Sequence, residues 1–170
     1  ALMMLKHHCG ADQSRYFLTD QLDRYLRRRG TDPSGEVPLD RSRRAQTYIH
    51  YAKGALVLHQ LQESIGEERL NEALARFIRQ WGNQGPPYPI SNDLIACLQE
   101  AAGPDRAGLV TDLFERITLF DLKLTAGSVQ SLSTDRYRVS LTALVQKLQA
   151  DQTGQSNEVP TEERFHIALL

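Results

Sequence analysis

Residues 118–126 read TLFDLKLTA, and the fold class turns on them. Phe120, Leu122 and Leu124 alternate with Asp121 and Lys123, a period of two that marks a strand with one buried face. The same alternation returns in RYRVSLTALVQKL (136–148), where Tyr137, Val139, Leu141 and Ala143 fall on one side. Ser133-Thr134-Asp135 and the run DQTGQSN (151–157) are rich in turn formers and separate the strand-like pieces. The apolar segments before Thr118 repeat at helical spacing instead. The expected class is therefore α+β, about five helices in residues 1–117 followed by a small antiparallel region in 118–170.

Within the helical part, residues 1–8 read as the tail of a helix closed near Cys9-Gly10, and a second helix is expected from Asp12 to Arg29. Phe17, Leu18, Leu22, Tyr25 and Leu26 would form its apolar face, with Gly30 after its last turn. A loop with two prolines follows, TDPSGEVPLDRS (31–42). QTYIHYAKGALVLHQLQESIG (46–66) is apolar nearly all round and reads as a buried helix, with Tyr48, Tyr51, Ala55 and Leu58 on one face. EERLNEALARFIRQW (67–81) is amphipathic, with Leu70, Leu74, Phe77 and Ile78 inward and two glutamates in its first turn. Ser91 is the expected N-cap of NDLIACLQEAA, and a last helix from Pro104 to Arg116 presents Leu109, Val110, Leu113 and Phe114. No internal repeat recurs at a fixed period.

Composition bounds the function. The chain has 170 residues, 41% of them hydrophobic and 24% charged, the make-up of an ordinary soluble globular protein. A net charge of −1 points to no nucleic-acid partner. The arginines of DRYLRRRG (23–30) suit the negative end of a helix dipole. Cys9 and Cys97 form no CxxC pair, so neither a disulfide scaffold nor a zinc knuckle is expected. No apolar run approaches the roughly 20 residues of a membrane span, and no signal peptide is visible. The chain opens on apolar ALMMLKHH and closes on apolar RFHIALL, which reads as a cut through larger elements and sets up the expectation of a fragment.

The order of several segments carries a resemblance. LDRYLRRRG, EVPL, YIHYAKGALVLHQLQESIGEERLNEALARFI, PISNDLIACLQEAAG and DLFERITLFDLKL follow one another at plausible spacing. In that order they resemble the membrane alanyl aminopeptidase family of zinc metallopeptidases, the gluzincins. The closest look is to bacterial members fused to transporter-permease-like membrane proteins. The resemblance covers nearly the whole chain and rests on the YxKGxLVL and PxSxDL segments. It implies the C-terminal helical half of a catalytic domain and the start of a β-sandwich. The parent would be a zinc-dependent hydrolase of N-terminal peptide bonds, attached to a membrane.

The zinc motif HExxH is absent. None of His7, His8, His50, His59 and His166 is followed by Glu, and the substrate-amine motif GxMEN is missing. The resemblance puts the third zinc ligand just upstream of Ala1, so no metal or cofactor ligand is expected in this chain, and the isolated chain is expected to be inactive. One catalytic position carries over. The family's tyrosine before xKG corresponds to Tyr51, in Tyr51-Ala52-Lys53-Gly54. A phenol, ionising near pH ~10, stays protonated at neutral pH and can donate to the oxyanion that forms when water attacks a peptide carbonyl. On periodicity alone Tyr51 is a core aromatic. A further tyrosine of some relatives corresponds to Gln46, to which nothing transfers, and Tyr48 is expected to pack.

The remaining polar groups have plainer readings. His7, His8 and Cys9 are adjacent, so their side chains diverge by about 100° on a helix and do not converge on a metal. His59 and Glu63 are four apart on one face and are expected to share a surface hydrogen bond. Lys53 is expected to answer a carboxylate or reach solvent, and Gly54 to permit close helix packing. Glu36 matches a family feature of unassigned role. The alternative to a peptidase fragment is a non-catalytic helical interaction module of the same descent.

Overall fold

The computed structural model describes residues 2–161. The apolar run at 164–170 and His166 lie outside them. The fold is α+β, as the change of period at Thr118 implies: helices followed by a three-stranded antiparallel sheet. The chain forms two compact units, one running to Ile117 and including Asp151–Gly154, the other holding Thr118–Ala150 and the residues from Gln155.

Helix α1 spans Leu2–Arg29 and is two helices joined at a kink, where Gly10 adopts a φ of 86° that a side-chain-bearing residue resists. Its expected apolar face is only partly covered. Tyr25 is buried, but Leu22 and Leu26 are exposed. A 3-10 turn at Leu39–Arg41 and a π-helical turn at Tyr48–Lys53 lead into α2 (Gly54–Ile65). Gly66, at φ 91°, is the single residue between α2 and α3 (Glu67–Trp81). Helix α4 covers Ser91–Ala102, and a 3-10 turn at Pro104–Arg106 precedes α5 (Ala107–Phe114).

The core of this unit is one cluster. Val57, Leu61 and Ile65 of α2 meet Leu70 and Ala73 of α3, Ile95, Leu98 and Ala102 of α4, and Val110 and Phe114 of α5. In α3 the inward face is turned slightly from expectation: Ala73 is buried and Ile78 is exposed. Arg76 ties α3 to α4, donating to the Cys97 carbonyl and to Glu100. Ser91 is not the N-cap of α4. Ile90 occupies that position in extended backbone, and Asp93 reaches back to accept its N–H at 2.8 Å. Among the described residues no helix is long and apolar enough to cross a membrane.

The second unit holds the sheet, made of β1 (Ile117–Ser133, its first residue counted with the helical unit), β2 (Arg136–Ala150) and β3 (Ser156–Val159), in that spatial order. Lys147 pairs with Val159 and Ala150 with Ser156 across the antiparallel β2–β3 ladder. The buried face expected from the alternation is not covered. Phe120, Leu122, Leu124, Tyr137, Val139 and Leu141 are all exposed. The period of two built the strands, but burial needs a second layer, and the three strands among the described residues supply none.

These placements separate two leucine-sized positions. Leu98, fully buried, loses roughly 2–5 kcal/mol of stability as Leu98→Ala. Ile78→Ala, at a side chain 65% exposed, stays within about 0.5 kcal/mol. Urea denaturation followed by helical circular dichroism measures both.

Candidate functional site

The loop between α1 and the π-helical turn carries two acidic residues, Asp32 and Glu36, and polar side chains from both flanking elements converge on them. Glu36 is buried. Its Oε1 accepts from the Lys53 ammonium at 2.6 Å and from the Tyr25 hydroxyl at 2.9 Å, and its Oε2 from the Arg29 Nε at 2.6 Å. Lys53 is buried as well and sits 5.6 Å from the centre of the Tyr25 ring. An unpaired carboxylate could not be kept at this depth, since desolvation costs several kcal/mol per ion. Two cations and a hydroxyl answer it. Lys53 therefore meets a carboxylate, and Glu36, without a role in the sequence, is the group that joins α1 to the π-helical turn.

Asp32 is held in a second set of bonds. Ser34 donates to it through hydroxyl and backbone N–H, Gln46 through its amide at 3.1 Å, and Tyr48 through its hydroxyl at 2.9 Å. Gln46 is buried. Its amide also donates to the Gly35 carbonyl at 2.9 Å, and its carbonyl accepts from the Arg43 N–H. Hydrogen bonds from Ser34 and Gln46 hold the Asp32 carboxyl well below the usual carboxylate range. Burial, reinforced by the negative charge of Glu36, pushes the Tyr25 phenol up. Burial and the bond to Asp32 do the same to Tyr48. The Tyr25 and Tyr48 rings stack 6.4 Å apart, linking the two sets.

The turn pinned by these bonds is π-helical, closed by the Gly54 N–H on the Ile49 carbonyl, five residues back. In that geometry Tyr48 and Lys53, five apart, both face inward. Tyr48 and Tyr51 share no face, contrary to the α-helical expectation. Tyr48 is 6% exposed and Tyr51 72%. Ile49, Ala52, Lys53 and Gly54 are buried around it. The His50 ring lies beside the Tyr51 ring, centroids 4.7 Å apart and planes tilted by 57°. Among the described residues no protein group bonds the Tyr51 hydroxyl, which leaves it open to a ligand. Gly54 is not a packing necessity: a Cβ there would make only ordinary contacts, 3.8 Å from the Ile49 carbonyl and 3.9 Å from Leu39.

The other candidates stay apart. His7 meets the carboxylate of Glu67 at 3.3 Å, and Cys9 is exposed. His59 and Glu63 share no hydrogen bond among the described residues. Nowhere among them do three His, Cys, Asp or Glu side chains come together as metal ligands would. Gln46, to which the sequence assigns nothing, is the residue whose importance periodicity hides; its place after a turn and before an apolar run is the only signal. No family model, no curated protein and no solved structure matches the chain.

The two tyrosines and Asp32 give stability opposite pH limits. Asp32 takes up its proton at a lower pH folded than unfolded, so its contribution is present above about pH 4 and is lost as pH falls below that. Tyr25 and Tyr48 hold their protons to higher pH folded than unfolded, so theirs is present below about pH 10 and is lost as pH rises beyond it. Urea midpoints measured across pH should fall at both ends, and the acid limb should be shallower in Asp32→Asn. A separate test addresses Glu36. Lys53→Met leaves the buried carboxylate with Arg29 and Tyr25 alone and should cost about 3 kcal/mol, measured the same way.

Proposed function

We propose that this chain is part of a zinc-dependent aminopeptidase and supplies the hydroxyl that stabilises the transition state of peptide-bond hydrolysis. One observation supports the reading above the rest: Tyr51 stands 72% exposed in a turn where Tyr48, Ile49, Ala52 and Lys53 are buried. A tyrosine serving only as packing would be turned inward with Tyr48. Single π-helical turns are frequent at functional sites, because the extra residue re-aims one side chain without unwinding the helix.

The chemistry assigned to Tyr51 is hydrogen-bond donation. As water adds to a peptide carbonyl, charge gathers on the carbonyl oxygen, and a donor fixed in place beforehand lowers the barrier without reorganising. The supports of Tyr51 suit that need. Glu36, Lys53 and Tyr25 lock the inner side of the turn, and Asp32, Gln46 and Tyr48 lock its start. Zinc belongs to residues outside this chain in this reading, and Tyr51 and the helical wall around it are the chain's contribution.

Tyr51→Phe in the full-length peptidase tests the assignment. It should lower kcat by about 10²–10³-fold with little change in KM. An unchanged kcat would sink the catalytic role. The 170-residue chain alone, with zinc added, should show no peptidase turnover, and clear turnover would overturn the division of the site.

A further inference from the structure

The π-helical turn fixes the backbone of Tyr51, but a side chain 72% exposed can still turn about its own bonds. Its hydroxyl bonds no described residue, so no hydrogen bond selects among the staggered rotamers. A donor that meets a developing charge has to be aimed beforehand. A neighbouring side chain must therefore choose the rotamer.

His50 is placed to do so. Its ring lies against the Tyr51 ring, centroids 4.7 Å apart and planes tilted by 57°. Adjacent residues on an α-helix point about 100° apart and do not face each other. In this π-helical turn the two rings do meet. Their separation is that of a favourable aromatic pair, which corresponds to a preference of about two- to tenfold for the paired arrangement.

His50 is itself held. The residue is partly buried, unlike Tyr51. Its backbone N–H and that of Ile49 both donate to the Gln46 carbonyl, at 3.4 and 2.9 Å. The side-chain amide of buried Gln46 is bonded in turn to Asp32 and to the Gly35 carbonyl. The loop that fixes Gln46 thus also fixes the base from which the imidazole leans on Tyr51. The contact is ring on ring, so it needs an aromatic face and no particular charge on the imidazole. We propose that His50 is a positioning residue, which holds the exposed Tyr51 side chain in one rotamer through this ring contact. Its bearing on catalysis rests on the reading of Tyr51 as hydrogen-bond donor; the rotamer itself does not.

Nuclear magnetic resonance of the full chain with labelled tyrosine and histidine reads the rotamer. Three-bond couplings at Tyr51 should report one dominant χ1 rotamer, with Overhauser contacts between the Tyr51 and His50 rings. His50→Ala should average the couplings, and His50→Phe, which keeps a ring, should restore them. Averaged couplings or missing ring contacts in the unmutated chain overturn the proposal, and so do unchanged couplings in His50→Ala. The unmutated chain decides if His50→Ala does not fold. In the full-length peptidase His50→Ala should lower kcat about two- to tenfold with KM unchanged, and His50→Phe should recover it, because only correctly aimed molecules turn over. An undiminished kcat in His50→Ala beside a slowed Tyr51→Phe overturns the positioning role alone. An unchanged kcat in Tyr51→Phe fells the catalytic reading and leaves the couplings to decide the positioning.

Discussion

The helical unit depends on a buried negative charge. Glu36 sits in a loop, where backbone alone would leave the chain free to wander, yet its carboxylate is nearly sealed from water. Desolvation makes that placement unfavourable unless donors come to it. Tyr25 and Arg29 come from the end of α1 and Lys53 from the π-helical turn. Satisfying one carboxylate thus fixes the distance between two helices and the path of the loop joining them. A buried pair of this kind adds less to stability than its Coulomb energy suggests, because its worth is offset by lost hydration. Its effect is to exclude arrangements in which the charge would be bare.

A division of labour follows. Helices α2 to α5 are held by apolar packing, and among the described residues none of α1 belongs to their buried cluster. Helix α1 is joined to the rest by Tyr25, by ionic and hydrogen bonds around the loop, and by the contact of His7 with Glu67 of α3. This explains why Leu22 and Leu26, at good helical spacing with Tyr25, remain in solvent.

What was legible in the sequence follows the physics of each signal. Periodicity located the helices and residues 118–126 of β1, because the strand keeps its alternation there. It missed the continuation to Ser133, where Gly127 and several serines blur the pattern. Periodicity reports which residues could be covered and not whether a second layer exists, so the exposed Phe120, Leu122 and Leu124 could not be foreseen. Tyr51 was singled out by a resemblance, whereas its α-helical phase pointed inward with Tyr48. The π-helical turn that separates the two is pinned by bonds to Asp32 and Glu36, which no local pattern encodes.

The π-helical turn also has a genetic consequence. A ring closed over five residues accommodates one residue more than the α-helical rings that follow it. Downstream, Val57, Leu61 and Ile65 keep ordinary helical phase with the core. Upstream phase is set separately, by where the extra residue is absorbed. One codon gained or lost in this turn rotates the preceding residues by about 100° while the core seam stays in register. The protruding tyrosine and the packed helix can therefore be acquired, or lost, independently of each other.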